Sequence, residues 1–139
     1  GGKGNKIELV ENNLKDSLIL VKPLGFGVST KDAYNSFDEL DEVRYSNFEK
    51  IVECLRNDNR KDLEKYIENG LEQGISERNA DIKMFKAILN SVVPGKKFFM
   101  SGSGSTYYTF VTEIERSQIE TRLRTFVDNV KIIISKTIN

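Results

Sequence analysis

The sequence contains no histidine and no tryptophan, and its single cysteine is Cys54. Histidine and cysteine are the usual ligands of zinc, haem and iron–sulfur clusters, so we expect no such metal site. The lack of histidine also excludes catalysis by a Ser-His-Asp triad. A lone cysteine cannot form a disulfide within the chain. We therefore interpret Cys54 as a buried structural thiol in a protein of the cytoplasm.

Long hydrophobic runs are lacking as well. The longest, residues 18–21 and 132–134, fall far short of the ~20 residues that a membrane-spanning helix needs, and we expect no membrane contact. The 139 residues carry 21 basic and 21 acidic side chains, and 38% are hydrophobic. These values are typical of one globular domain, residues 1–139, that does not bind nucleic acid. Because the chain begins with Gly1 and not with methionine, we expect it to be part of a longer protein.

Strands and helices follow from the hydrophobic pattern. A continuous apolar run at residues 17–22 predicts a strand buried on both faces, and residues 7–10 predict a shorter strand before it. Helices are predicted at four start signals, which are Ser29 with Asp32, Ser46 with Glu49, Asn59, and Glu77. Gly70 and Gly74 are expected to end the third helix, and Pro94 the fourth.

The last third changes its period. Residues 97–101 and 106–112 are rich in aromatic and β-branched residues, which predicts two strands joined by a glycine loop. Thr112 and Glu115 then form a capping box. The helix that follows is predicted to carry one apolar face, made of Ile119, Leu123, Phe126 and Val127. Residues 130–135 predict a final strand.

This order of elements predicts an α+β fold. Without the first short strand it is β, several α, β, β, α, β, the ferredoxin-like split βαβ pattern with a helical insertion in the first crossover. We expect a mainly antiparallel sheet with helices on one face.

Two glycine-containing segments are candidates for binding phosphate. Ser101-Gly102-Ser103-Gly104-Ser105 can turn so that backbone N–H groups and hydroxyls point into one concavity. The segment from Pro23 to Thr30 leads from a strand into a helix N-terminus, which attracts anions. Taken alone, each also fits an ordinary turn or helix cap.

The wider motif, Met100-Ser101-Gly102-Ser103-Gly104-Ser105-Thr106-Tyr107-Tyr108, resembles the third, glycine-rich motif of the GHMP kinases, usually close to Met-Ser-Gly-Ser-Gly-Pro-Thr-Val-Phe. A strand that ends in Pro23, followed by glycines and Val28-Ser29-Thr30, is similar to the isoprenoid-pathway members of that family. A third stretch, Asn69-Gly70-Leu71-Glu72, lies about ten residues before Asp81-Ile82. It resembles the Asn-Asp-Leu-Glu that precedes Pro-Glu-Ile in those same members. The three motifs match the carboxy-terminal half of the family.

The resemblance implies a domain of a kinase that transfers a phosphoryl group from ATP, assisted by Mg²⁺, to a small-molecule alcohol of the non-mevalonate pathway. It implies that the phosphate side of the substrate cleft is lined by Ser101, Gly102, Ser103, Gly104 and Ser105. The residues that it places at the border of the substrate are Val28, Ser29 and Thr30.

The family's ATP-binding loop and its catalytic Asp and Lys belong to its amino-terminal half, and no Gly-Leu-Gly-Ser-Ser run occurs in this sequence. The resemblance thus implies no catalytic residue and no metal ligand in this chain, an amino-terminal kinase domain as its partner, and no activity, ATP or Mg²⁺ binding by this fragment alone.

Three departures from the motifs leave the substrate open: Ser105 replaces Pro, Gly70 replaces Asp and Ala80 replaces Pro. A GHMP kinase acting on mevalonate or homoserine is therefore one alternative. A non-enzymatic ferredoxin-like binding module is another. Its RNA-binding version is disfavoured because no basic-Gly-aromatic-Gly run precedes the aromatic strand. A homodimer, formed through an apolar surface that the absent half would cover, is a further alternative.

Overall fold

A computed structural model of the chain describes residues 11–136. In these residues the elements run in the order β1 (Ser17–Pro23), α1 (Thr30–Asp38), α2 (Phe48–Arg56), α3 (Arg60–Tyr66), α4 (Gly70–Arg78), α5 (Ala80–Val92), β2 (Phe99–Met100), β3 (Tyr107–Val111), α6 (Glu113–Phe126) and β4 (Val130–Lys136). The strand predicted at residues 7–10 lies outside the described residues. Among the described helices, none combines the length and apolarity needed to cross a membrane.

The four strands form one antiparallel sheet in the order β2-β3-β1-β4. β1 lies inside this sheet, where Leu18 is opposite Phe110 of β3 and Ser135 of β4. Its apolar run fits this position, because its edges pair with two neighbouring strands and helices pack on both faces of the sheet. The predicted α+β class with an antiparallel sheet is confirmed, and five helices occupy the connection between β1 and β2.

Helices cover both faces of the sheet. On one face, Ile19 and Val21 pack with residues of α5 and α6 in the larger core. On the other face, Phe110 packs with Cys54 of α2 and Leu63 of α3 in a smaller core. The prediction that helices lie on one face is therefore wrong. Successive strand residues point to opposite faces, and here both sets are apolar, so each face needs a cover.

The third predicted helix is two helices in the structure. The chain leaves α3 after Tyr66, Ile67 is extended, and Asn69 caps the start of α4. Gly70 thus begins a helix that it was predicted to end, and Gly74 lies within that helix. The hydrophobic spacing continues without a break across this point, so the pattern alone did not reveal the interruption.

The start of α2 also differs from the prediction. The capping residue is Asn47, whose side-chain oxygen accepts a hydrogen bond from the Lys50 N–H at 3.1 Å. Ser46, the predicted cap, instead exchanges two hydrogen bonds with the backbone of Glu68, one donated to its carbonyl at 3.1 Å and one accepted from its N–H at 2.9 Å. Serine and asparagine are both good helix caps, so the adjacent Ser46 and Asn47 were equally suited to start α2. Because Ser46 is engaged with Glu68, Asn47 is the cap.

The two longest helices follow the predictions with smaller corrections. α5 begins at Ala80 and not near Glu77, which belongs to α4. The predicted capping box of Thr112 and Glu115 starts α6, with both reciprocal hydrogen bonds present. Phe126 was placed on the apolar face of this helix but is 59% exposed.

Candidate functional site

Both predicted phosphate-binding segments lie at the same end of the neighbouring strands β1 and β3. β1 runs antiparallel to β3 with Val21 opposite Tyr107. The residues that follow β1 therefore lie beside those that precede β3. The first set is the β1–α1 turn, residues 24–29, and the second is the glycine loop, residues 101–105. Sequence alone could not predict this proximity, because it depends on the order of the strands.

The glycine loop lies close to the β1–α1 turn. A β-carbon placed on Gly104 would lie 3.6 Å from Cγ2 of Val28 and 3.1 Å from Sδ of Met100. Val28 and Phe26 pack in turn against the larger core, where the Phe26 ring meets Phe85 at 5.8 Å between centroids. Met100, which precedes the loop, belongs to the same core, so the two segments lie side by side over one apolar cluster.

The backbone of the glycine loop requires glycine at two positions. Gly102 has a φ of 59° and Gly104 a φ of 99°, which other residues rarely adopt. The Ser101 N–H donates to the Thr106 carbonyl at 2.8 Å, and the Gly104 N–H donates to the Ser101 carbonyl at 3.1 Å. Ser101 and Gly102 are exposed, whereas Ser105 is buried. The loop therefore has a fixed base and an exposed tip.

Ser29 acts as a helix cap. Its Oγ accepts a hydrogen bond from the Asp32 N–H at 3.0 Å, which confirms the predicted start of α1. Ser29 and Thr30 are both exposed. At the other end of the turn, the Leu24 N–H donates to the Asn129 carbonyl at 2.9 Å and joins the turn to the α6–β4 connection. The turn is therefore fixed at both ends. The exposed hydroxyls of Ser29 and Thr30 lie where it joins α1, at the end of the strands that carries the glycine loop.

Asn69 joins α4 to the glycine loop. Its Oδ1 accepts hydrogen bonds from the N–H groups of Leu71 at 2.9 Å and Glu72 at 3.2 Å. Its Nδ2 donates to the carbonyls of Met100 and Gly102, both at 2.8 Å. The side-chain amide thus makes two bonds through each end, which is its full usual capacity.

The sequence motif around Asn69 entered the prediction only as a resemblance and had no assigned role. Asn69 followed three residues later by Glu72 is also a helix-start signal. That signal was available, but Gly70 was interpreted as a helix end. The contact with the loop had no signal in the sequence, since the partners of Asn69 are backbone carbonyls about thirty residues further along the chain.

Glu72 supports the same strand from the same helix. Its Oε1 accepts a hydrogen bond from the Met100 N–H at 3.2 Å, and its Oε2 pairs with Lys86 Nζ at 2.6 Å. Asn69 and Glu72 together therefore satisfy the N–H and the carbonyl of Met100 at the edge of the sheet. Nearby, the Tyr107 hydroxyl is buried and makes no hydrogen bond of normal geometry within residues 11–136, and burial together with the adjacent Glu72 carboxylate raises the pKa of this phenol. Tyr107 is thus kept protonated and is not a candidate base.

A cavity of about 250 Å³ opens beside Asn69 and Glu72, and its lining includes no residue of the glycine loop. Two of its three cations are paired, Lys86 with Glu72 and Arg44 with Glu68 at 3.4 Å, and the third, Lys97, donates to the Glu64 carbonyl at 3.2 Å. The lining therefore carries an excess of a single positive charge. Within residues 11–136, no group of three or more acidic or cysteine side chains is placed to hold a metal ion.

Comparison with known proteins identifies relatives of the chain. No protein-family model matches it. The 4-diphosphocytidyl-2-C-methyl-D-erythritol kinase of Fusobacterium nucleatum is 73% identical over 139 residues, which are 100% of this chain and 47% of that protein. The kinase of the same name from Clostridium botulinum Type A2 is 32% identical over 124 residues, which are 85% of this chain and 41% of that protein.

The chain is therefore a relative of the 4-diphosphocytidyl-2-C-methyl-D-erythritol kinases. It spans about half the length of the curated relatives that it matches. The predicted resemblance to the carboxy-terminal half of GHMP kinases is confirmed.

Two solved structures share the fold. A crystal structure of 4-(cytidine 5'-diphospho)-2C-methyl-D-erythritol kinase superimposes with a TM-score of 0.64 and 20% identity, over 89% of this chain and 44% of that chain. A homoserine kinase from Cytophaga hutchinsonii gives a TM-score of 0.71 and 16% identity, over 100% of this chain and 47% of that one. At such identities the likeness concerns the fold alone, and the similarity to the 4-diphosphocytidyl-2-C-methyl-D-erythritol kinases rests on the sequence comparisons.

Proposed function

We propose that this chain is the carboxy-terminal, substrate-side domain of a 4-diphosphocytidyl-2-C-methyl-D-erythritol kinase. The complete protein transfers the γ-phosphoryl group of ATP to the 2-hydroxyl of that substrate, a step of non-mevalonate isoprenoid biosynthesis. The identity of 73% over the whole chain to the Fusobacterium nucleatum kinase supports this activity.

The observation that carries the proposal is the close approach of the glycine loop to the β1–α1 turn, where a β-carbon on Gly104 would lie 3.6 Å from Cγ2 of Val28. Two segments with exposed hydroxyl and backbone groups form one surface there, and such groups donate hydrogen bonds to phosphate oxygens. We assign the diphosphate side of the substrate to Ser101, Gly102, Ser103, Gly104 and Ser105. We assign its border to Val28, Ser29 and Thr30. Phosphoryl transfer depends mainly on positioning and electrostatic stabilisation, to which such a surface contributes.

The proposed reaction uses ATP and Mg²⁺, and the residues around the glycine loop do not fit a Mg²⁺ site. Mg²⁺ is bound through carboxylate and phosphate oxygens. The loop itself carries no carboxylate, and Glu72 is already engaged with Lys86 and Met100. We therefore assign ATP and Mg²⁺ binding to an amino-terminal kinase domain outside residues 1–139. The chain alone is then expected to bind neither and to be inactive.

Several finer features belong to the same proposal. The strand order β2-β3-β1-β4, with helices between β1 and β2 and between β3 and β4, supports a ferredoxin-like split βαβ topology. The location is proposed to be the cytoplasm. A homodimer of the isolated chain is tested by light scattering at high concentration, where a clean monomer would contradict it.

The activity test uses the longer protein that contains this chain, incubated with ATP, Mg²⁺ and 4-diphosphocytidyl-2-C-methyl-D-erythritol while ADP release is followed. Gly102 and Gly95 provide a matched pair of variants. Their φ angles are 59° and 89°, and a β-carbon on either would meet nothing within 4 Å among the described residues, so alanine adds backbone strain without a clash at both positions, and more of it at Gly95. Only Gly102 lies in the glycine loop. We expect Gly102→Ala to lose most turnover and Gly95→Ala to keep it.

Three outcomes would contradict parts of the proposal. If no alcohol is phosphorylated, the proposed kinase activity is wrong and only the shared fold remains supported. Turnover with mevalonate or homoserine, and none with the diphosphocytidyl substrate, would keep the kinase class and replace the substrate. Equal loss in the Gly102→Ala and Gly95→Ala variants would remove the glycine loop from the site.

A further inference from the structure

We propose that Asn69 is a positioning residue that sets the direction in which the glycine loop presents the Ser103 N–H to the substrate. This inference rests on the function proposed above, because it assigns a role at the same site. Asn69 does not itself need to touch the substrate. It acts through the peptide that joins Gly102 to Ser103.

The geometry of that peptide carries the inference. The Gly102 carbonyl accepts a hydrogen bond from Asn69 Nδ2 at 2.8 Å. In a planar trans peptide the carbonyl and the following N–H point in opposite directions. Holding the Gly102 carbonyl toward Asn69 therefore directs the Ser103 N–H away from it. A glycine with a φ of 59° tolerates many other orientations, so an external contact is needed to select this one.

Asn69 can serve as a fixed reference because it is itself held by helix α4. Its Oδ1 accepts the N–H groups of Leu71 and Glu72, and its second Nδ2 proton is donated to the Met100 carbonyl at 2.8 Å. Glu72, one turn into the helix, bonds the Met100 N–H. The loop is thereby attached to α4 through three hydrogen bonds at the edge of β2. Because the Asn69 amide is hydrogen-bonded both to α4 and to the loop, the position of the helix determines the position of the Gly102 carbonyl.

The test separates the loop contact from the helix cap. Asn69→Asp keeps an oxygen that caps α4, since aspartate is as good a cap as asparagine, but it replaces the donor by an oxygen that faces two carbonyls. Asn79→Asp is the matched control. Asn79 caps α5 through its Oδ1, which accepts from the Ile82 N–H at 3.0 Å, and within residues 11–136 its side chain makes no hydrogen bond to the glycine loop.

The first measurement is steady-state kinetics of the longer protein with the diphosphocytidyl substrate. For Asn69→Asp we expect kcat/KM to fall on the order of 10²-fold, the usual result of misplacing a binding group by an ångström. We expect KM for that substrate to rise at least several-fold, while Asn79→Asp stays close to wild type. Partial unfolding lowers the amount of active enzyme and leaves KM unchanged, so the KM distinguishes positioning from stability.

The second measurement does not depend on activity. Nitrogen-15 relaxation of the chain itself reports the order of the Gly102 and Ser103 N–H groups. Asn69→Asp is expected to lower their order parameters from about 0.85 toward 0.6, whereas Asn79→Asp leaves them unchanged. Unchanged order parameters in Asn69→Asp overturn the inference, as does an unchanged KM in an active enzyme. If the wild-type protein shows no turnover, the proposed function fails, and the relaxation data alone decide the role of Asn69.

Discussion

Gly74 of α4 lies directly on the backbone of Ser36 in α1. A β-carbon on Gly74 would be 2.7 Å from the Ser36 carbonyl carbon and 2.8 Å from its oxygen. These are backbone atoms, which cannot rotate away as the end of a side chain can. The two helices therefore depend on the absence of a side chain at this point for their close approach.

Gly74→Ala is expected to destabilise the protein by about 1–3 kcal/mol, the usual range for an added methyl group in a packed contact. The loss is expected although alanine favours helix over glycine by about 1 kcal/mol. Gly27→Ala is the control, because a β-carbon there meets nothing within 4 Å. It should be neutral or slightly stabilising. Urea unfolding measures both variants, and a Gly74→Ala protein as stable as wild type would contradict the packing.

Local sequence signals predicted the helices whose first residues carry a capping motif. They failed where contacts between distant residues determine where a helix begins or ends. Thr112 with Glu115 starts α6 as predicted, because a capping box is complete within four residues. The break between α3 and α4 was missed because the apolar spacing from Leu63 to Leu71 is continuous. Asn69 is fixed at this break by carbonyls of the glycine loop, which no local pattern contains.

The sequence indicated the two candidate segments but not their proximity, for the same reason. The two candidate segments were found from their glycines and hydroxyls, and the structure places them together. Their meeting at Gly104 and Val28 depends on β1 being the neighbour of β3. Strand order is a property of the whole chain, so neither segment could indicate it alone. The second layer of helices was missed likewise, since the apolar stripe of α2 does not state which face of the sheet it covers.

Two buried hydroxyls on β3 should respond oppositely to removal. Within residues 11–136 the Tyr107 hydroxyl makes no hydrogen bond of normal geometry, although the Glu72 carboxylate lies close enough to act on it, whereas Thr109 Oγ1 donates to the Lys97 carbonyl at 2.9 Å. Tyr107→Phe is expected to be neutral or stabilising, because a buried polar group without a partner is unfavourable. Thr109→Val should lose about 1–2 kcal/mol, since it also leaves the carbonyl unpaired. Thermal and urea unfolding of the two variants provide the comparison, and a destabilised Tyr107→Phe protein would indicate an unseen partner.

Glu115 links the capping box of α6 to Lys96. Its Oε1 accepts a hydrogen bond from the Thr112 N–H at 2.9 Å and contacts Lys96 Nζ, whose side chain is only 10% exposed. Burial of the carboxyl raises its pKa, but hydrogen bonds from Lys96 and Thr112 and the charge of Lys96 outweigh this, so the pKa lies below its usual value.

A carboxyl whose pKa is lower in the folded state stabilises the protein above its ordinary pKa, here 4.5, and loses that contribution as pH falls through the folded value. Glu115→Gln should therefore reduce stability at neutral pH by about 1–3 kcal/mol. The difference from wild type should shrink below about pH 4. Urea unfolding across a pH series tests this, with Glu77→Gln on the exposed side of α4 as the control for removing one charge. If wild type and Glu115→Gln differ in stability by the same amount at every pH, the titration of Glu115 does not explain the difference.

The Cys54 thiol should be unreactive until the smaller core opens. Burial raises its pKa, and the carboxylates of Asp62 and Glu53 add to the effect, so little thiolate is present at neutral pH. With a thiol-specific disulfide reagent we expect the native protein to react more than about 10²-fold more slowly than the urea-unfolded chain, because reaction requires opening of packed structure. Glu53→Gln is the control, since burial is the leading cause and the rate should change little. Equal rates for native and unfolded protein would mean that α2 and α3 do not cover this face of the sheet.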